Sequence, residues 1–197
     1  MTTAAKKELN PLNEFKIWYQ RFLDTKPKEP SAMFLATSDR QGVPGGRVVL
    51  LKSFDEKGFV FFTNYDSRKG RDLSDNPQAS LTFYWEELQQ QIRIFGNVAR
   101  TTAKESDEYF KSRPRLSQIG AWASRQGTRI ENREQLEKQV KEYETKYPTD
   151  VVRPEYWGGF RLAPTRVEFW QGRDNRLHDR MEFFMEAGKW KIQRLSP

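Results

Sequence analysis

Several short stretches of this chain carry side chains suited to holding phosphate. Arg47 and Lys52 bracket the apolar run Val48-Val49-Leu50-Leu51. They stand an odd number of steps apart, so an ideal strand points them to opposite faces. They could serve two different anions, or a bulge could bring them to one. Taken alone, a core strand with charged ends in water is the simpler account. Ser67-Arg68-Lys69 opens a helical stretch. Free backbone N–H groups, the helix dipole and two cations there suit a phosphate, although capped surface helices often begin this way. Tyr109, Arg113, Arg115 and Ser117 offer a phenol, paired guanidinium donors and a hydroxyl, a set that can share one phosphate. The same residues could simply complement the C-terminal end of a helix dipole. The fourth stretch, Trp170 to Arg180, gathers Arg176, His178, Asp179 and Arg180 behind an apolar strand. Cations there could stabilise negative charge developing on a substrate.

Composition narrows the chemistry further. The 197 residues contain no Cys and one His. Thiolate nucleophiles, disulfides and Cys-based zinc sites are therefore excluded, and multi-His metal centres are disfavoured. No GxGxxG or GxxxxGK[ST] phosphate loop, GxSxG elbow or HExxH helix occurs, which removes the motif-bearing classes of nucleotide and hydrolase sites. Net charge is +7, but Lys and Arg are interleaved with acids, which argues for small anions rather than a nucleic-acid partner. The first ten residues lack the apolar core of a signal peptide, and no run is long enough to span a bilayer. A cytoplasmic protein without a membrane partner is expected.

The elements that must position these residues follow from periodicity. Residues 1–10 are polar and expected to be a loose tail, followed by a single domain over 11–197. Leu12, Phe15, Trp18, Tyr19 and Phe22 predict an amphipathic helix over Pro11–Asp24. Strands are expected at Ala32–Ser38, Arg47–Phe54 and Phe59–Thr63, with short turns at 39–42 and 55–58. Ser67 should cap a helix running to about Asp75. Ala79–Trp85 and Gln91–Ala99 read as a strand pair, and Thr102 with Glu105 as a capping box. Helices over Leu116–Ser124 and Asn132–Tyr147 follow. Late strands are expected at Phe160–Leu162, Val167–Gln171, Met181–Phe184 and Trp190–Leu195. The fold class is mainly β with α additions: a closed or nearly closed antiparallel barrel.

Taken together, RVVLLK at 47–52, FFTN at 61–64, SRKG at 67–70, SRPRLSQIGAWASRQ at 112–126, YWGGF at 156–160, EFWQGRDNRLHDR at 168–180 and the closing WKIQRLSP resemble the pyridoxine/pyridoxamine 5'-phosphate oxidase family. The resemblance runs from about Pro11 to Pro197. It implies a split β-barrel that binds FMN at the interface of a homodimer. Carried over residue by residue, it puts FMN against Arg47, Val48, Val49, Leu50, Leu51, Lys52, Phe62, Thr63, Arg68, Lys69, Gln91, Gln126, Gly127, Trp170 and Arg180. It puts the substrate phosphate on Lys52, Tyr109, Arg113 and Ser117, and Arg176 and His178 over the pyridine ring as the catalytic pair. The implied reaction oxidises pyridoxamine or pyridoxine 5'-phosphate to pyridoxal 5'-phosphate, with O2 as acceptor and H2O2 as by-product. Rival readings are a flavin reductase or phenazine-type oxidase on the same barrel, and a non-catalytic pyridoxal 5'-phosphate carrier. Three positions depart from the family pattern. Gly127-Thr128 replaces a pair of Ser, Phe62 stands where some relatives have Tyr, and the short stretch ahead of the first helix lacks an Arg/Tyr-bearing arm.

Overall fold

The computed structural model describes residues 9–197. The expected loose tail therefore falls largely outside the described residues. Its last residue, Asn10, is ordered as a helix cap, its Oδ1 accepting from Leu12 N at 2.9 Å. That cap, with Pro11 at the first helical position, starts α1 (Pro11–Asp24), satisfying a free N–H where proline lacks one.

Among the described residues, nine strands form one antiparallel sheet: β1 (Ala32–Ser38), β2 (Pro44–Leu50), β3 (Ser53–Asp55), β4 (Gly58–Asn64), β5 (Gln78–Trp85), β6 (Gln90–Arg100), β7 (Trp157–Gln171), β8 (Asp179–Glu186) and β9 (Lys189–Leu195). The order is β2-β1-β5-β6-β7-β4-β3, with β8 and β9 added beyond β7. The curl brings the end of β2 back to β4, where Lys52 N donates to Val60 O at 2.9 Å. Strand alternation sends Leu35, Leu81, Ile92, Ile94 and Phe169 inward, all essentially inaccessible. Helix α1 closes this core. Phe15 meets Phe54, Phe59 and Phe83 with ring centroids 4.8–5.3 Å apart, and Phe22 stacks on Trp85. Truncating Phe15 to Ala would cost about 3–5 kcal/mol by the usual scale for buried aromatics.

Beyond shifts of a few residues at strand ends, two strand assignments differ from expectation. Arg47–Phe54 is not one strand; it breaks at Leu51-Lys52 into β2 and β3. No turn residue marks the break. It is imposed by tertiary hydrogen bonds, Leu51 N to Ser31 O at 2.8 Å and Lys52 N to Val60 O. Conversely, the two strands expected at 160–162 and 167–171 are one continuous β7. The Ala163-Pro164-Thr165 interval survives inside it because Phe95 pairs with Arg166 and Gly96 with Pro164, leaving Thr165 as a bulge.

The helices between strands are α2 (Arg68–Asp75), α3 (Ala103–Ser112), α4 (Arg115–Ala123) and α5 (Arg133–Lys146). Ser67 caps α2, and Thr102 with Glu105 forms the expected reciprocal capping box on α3. No helix among the described residues is long and apolar enough to cross a membrane.

Candidate active site

The ends of β2 and β4, the first turn of α2 and the α3–α4 corner enclose a cleft of about 1010 Å³. That lies at the upper end of the range for small-molecule sites, roughly 300–1,000 Å³. The break after β2 resolves the parity of Arg47 and Lys52: both line this cleft.

One wall is cationic. Ser67 accepts from Gly70 N and from Lys69 Nζ, and its hydroxyl donates to Asn64 O at 2.7 Å. Lys69 is 8% exposed. Its ammonium donates to Gln126 Oε1 at 2.8 Å, Ser67 Oγ at 3.1 Å and Thr63 Oγ1 at 3.2 Å. All three acceptors are neutral, so no carboxylate among the described residues is hydrogen-bonded to this buried charge. Burial, and then the Arg47 guanidinium, push its pKa down from 10.5 to about 8, while Asp72 opposes them. Arg68 lines the same wall and remains exposed. Gly127 completes it at φ +89°, a conformation that costs glycine little, where the chain turns back with Thr128 N on Arg125 O.

The opposite wall is aromatic with one buried guanidinium. Arg113 ends α3 in extended conformation ahead of Pro114, as expected for a residue before proline. Its guanidinium lies 4.6 Å over the Trp157 ring. Its Nη1 is buried with no hydrogen-bond partner among the described residues, a condition that favours an incoming anion. Burial lowers its pKa. Tyr109 stacks on Phe62 at 4.0 Å and Phe62 on Trp157 at 5.6 Å, so the Phe at position 62 aligns the Tyr109 phenol by its ring. Ser117 lies in the first turn of α4 and lines the cleft.

The structure thus brings together Arg47, Val48, Val49, Leu50, Lys52, Phe62, Thr63, Arg68, Lys69, Gln126 and Gly127 with Tyr109, Arg113 and Ser117. Leu51 instead enters the hydrophobic core, 6% exposed. Sequence reading missed two contributors. Trp157, the face beneath Arg113, sat in a quoted motif without a role. Gln118 ties α3 to α4 by donating to the carbonyls of Phe110, Lys111 and Arg113; a Gln within a helix carries no such signal.

The remaining site residues do not line this cleft in the same chain. Gln91, Trp170 and Arg180 form one cross-strand row on the outer sheet face. Arg180 and Arg93 both bind the buried Glu168 carboxylate. Burial raises that carboxyl's pKa, but the bonds from Arg180 and Arg93 outweigh it and hold it low. Arg176 is exposed in the β7–β8 turn at φ +60°, next to Asn175 at φ +54°. Such backbone is strained for a non-glycine residue. His178 leans on Trp170 at 4.6 Å, and its Nδ1 accepts the Arg173 N–H at 3.1 Å. In the neutral ring that bond leaves the proton on Nε2, which becomes a donor. The same outer face exposes Phe34, Val48 and Tyr84, an apolar row typical of a face that another surface covers.

Comparison with known proteins agrees with this geometry. Residues 20–147 match the family model described as pyridoxamine 5'-phosphate oxidase, and residues 157–197 the pyridoxine 5'-phosphate oxidase C-terminal dimerisation region. The chain is 53% identical to the pyridoxine/pyridoxamine 5'-phosphate oxidase of Paraburkholderia phytofirmans, covering 98% of this chain and 92% of the relative. It is 51% identical to that of Polynucleobacter asymbioticus, covering 95% and 89%. Among solved structures, PhzG from Burkholderia lata, in complex with tetrahydrophenazine-1-carboxylic acid, superposes with TM-score 0.92 at 31% identity, covering 98% of this chain and 95% of that one. A pyridoxamine 5'-phosphate oxidase-related, FMN binding protein from Nostoc punctiforme shares the fold, with TM-score 0.76 at 16% identity, covering 96% of this chain and all of that one. Fold and cleft define a split-barrel flavoprotein oxidase. The chain belongs to the pyridoxine/pyridoxamine 5'-phosphate oxidase family, and its C-terminal segment is that family's dimerisation region.

Proposed function

We propose that this enzyme oxidises pyridoxamine 5'-phosphate and pyridoxine 5'-phosphate to pyridoxal 5'-phosphate, using FMN and O2. The observation that carries the reading is a pair of under-compensated cations on opposite walls of one cleft. Lys69 is buried against neutral acceptors only, and Arg113 has an orphaned guanidinium N–H. Two anions fit such a cleft better than one. A cofactor phosphate would take Lys69, Arg68 and Arg47, with Gln126 and Thr63 beside it. A substrate phosphate would take Arg113, Lys52, Tyr109 and Ser117.

FMN, when bound, supplies the two-electron oxidation of the substrate C4' carbon and passes the electrons to O2, which becomes H2O2. Everything else falls to the chain. Arg113, fixed over Trp157 and braced by Gln118, anchors the phosphate and so converts a loose encounter into a positioned one. Phe62 holds the Tyr109 phenol in line with that anchor. Water supplies the aldehyde oxygen of the amine substrate, whose nitrogen leaves as ammonia; the alcohol needs no water.

The residues outside the cleft, Gln91, Trp170, Arg176, His178 and Arg180, complete the site from a second copy of the chain. The dimerisation region and the exposed apolar row on the same sheet face support this arrangement. Arg176 then stabilises negative charge that develops in the site as the substrate is oxidised, and the His178 Nε2–H donates to the substrate ring.

Aerobic incubation of FMN-loaded protein with pyridoxamine 5'-phosphate tests the proposal. One peroxide should appear per aldehyde formed. Flavin-loaded protein that releases neither product would refute it. The likeness to PhzG favours a second reading, a phenazine-type oxidase. Oxidation of a dihydro- or tetrahydrophenazine with no turnover of either B6 phosphate would select that reading.

A further inference from the structure

Arg47 does not reach the cleft unassisted. On the inner face of the sheet, its Nη1 donates to Thr37 Oγ1 at 2.7 Å and lies 3.4 Å from Leu35 O. The Thr37 hydroxyl in turn donates to Asp72 Oδ2 at 2.6 Å. Asp72 stands 3.7 Å from Arg47 Nη2. Thr37 and Asp72 are each 4% exposed, so neither is positioned to meet a ligand. The relay spans three elements: Asp72 on α2, Thr37 on β1 and Arg47 on the edge strand β2. Gly45, paired with Thr37 across the strands, keeps the space open. A Cβ at position 45 would come within 2.7 Å of Arg47 Nη2.

We propose that Thr37 and Asp72 are positioning residues that fix the Arg47 guanidinium at the cofactor end of the cleft. The inference rests on the reading of that end as the FMN site. A guanidinium on an edge strand has many rotamers, and ordering it costs side-chain entropy. The hydroxyl relay removes that freedom before any ligand arrives, leaving Nη2 and Nε for an anion or a ring carbonyl. The carboxylate also lets two cations, Arg47 and Lys69, share one wall, since like charges at short range otherwise repel.

The test measures FMN dissociation constants by quenching of flavin fluorescence, on full-length protein stripped of flavin. Thr37→Val removes the relay without changing net charge or side-chain size. It should weaken FMN binding about tenfold, the effect of one charge-assisted hydrogen bond lost. Thr37→Ser, which keeps the hydroxyl, should restore wild-type binding. In an Arg47→Ala background, Thr37→Val should have no further effect. Gly45→Ala displaces the same guanidinium from the open side and leaves the buried carboxylate intact. It should weaken FMN binding with the melting temperature unchanged, which keeps the test alive if Thr37→Val does not fold. An equal loss from Thr37→Val with and without Arg47 would overturn the proposal, as would a change in melting temperature with FMN affinity intact. Wild-type protein that binds no FMN, or an Arg47→Ala variant that binds it normally, would instead overturn the underlying site reading.

Discussion

The cleft and the β7–β8 turn hold similar side chains under opposite conditions. In the cleft, Lys69 is buried with three hydrogen bonds, and Arg113 is pinned over Trp157. In the turn, Arg176 is exposed on left-handed backbone, and its neighbours Arg173 and Asp179 pair at 2.8 Å in solvent. The cleft is organised within one chain before any ligand binds. The turn presents its charge to water, where electrostatic effects are weak. A cation placed there gains catalytic force only when something covers it. On the proposed reading, the binding half of the site is pre-formed within one chain, and the half that carries Arg176 depends on assembly.

That contrast can be broken by substitution. The largest effect should come from Arg176→Ala. If this guanidinium stabilises developing charge, turnover should drop about 10²–10³-fold, the usual loss for one such donor. Substrate KM should barely move if the guanidinium acts only on charge that develops in the transition state, and the melting temperature should hold because the side chain is exposed within its own chain. A loss appearing wholly in KM would assign Arg176 to binding instead. Next comes Arg113→Ala. Losing a charge-assisted hydrogen bond costs about 1.5–3 kcal/mol, which should raise substrate KM about 10- to 150-fold with turnover largely kept.

Lys69 sharpens the same contrast through pH. Its folded pKa of about 8 lies below the ordinary 10.5. If the FMN phosphate binds the Lys69 ammonium as proposed, cofactor affinity should fall as pH rises above about 8, with proton uptake on binding. Stability of the flavin-free protein carries the opposite sign. Burying the ammonium is a cost fully present below about 8 and relieved as pH rises toward 10.5. Titration of affinity and of unfolding free energy on the same protein checks both signs, and Lys69→Met should flatten both. The smallest effect belongs to Phe62→Leu. It removes the stack that aligns Tyr109, worth about 0.5–1.5 kcal/mol, and should raise substrate KM no more than about tenfold with turnover unchanged.

Much of the fold was legible because its signals are local. Ser67 and the Thr102/Glu105 box mark helix starts by side-chain hydrogen bonds that involve only near neighbours. The strand break at Leu51-Lys52 and the continuity of β7 through Pro164 were not legible, because distant backbone partners impose both. The cleft was readable from its phosphate-type side chains. Trp157 and the Thr37–Asp72 relay were not, since each acts by a contact far along the chain, and the Gln118 bonds across the α3–α4 corner carry no sequence mark although they are local. Nor does the sequence say whether Arg113 and Arg176 serve one cleft or, as proposed, different clefts of a pair. Residue order carries no record of which copy supplies which wall.

Mixing subunits tests that division directly. Arg113→Ala and Arg176→Ala proteins, each nearly inactive alone at limiting substrate, are unfolded together and refolded as a mixture. If each site joins the cleft of one copy to the turn of the other, every mixed dimer has one intact site, and about a quarter of wild-type activity returns in a random twofold assembly. If both residues act within a single chain, every site in the mixture carries one lesion, no activity returns, and the two-copy account is contradicted.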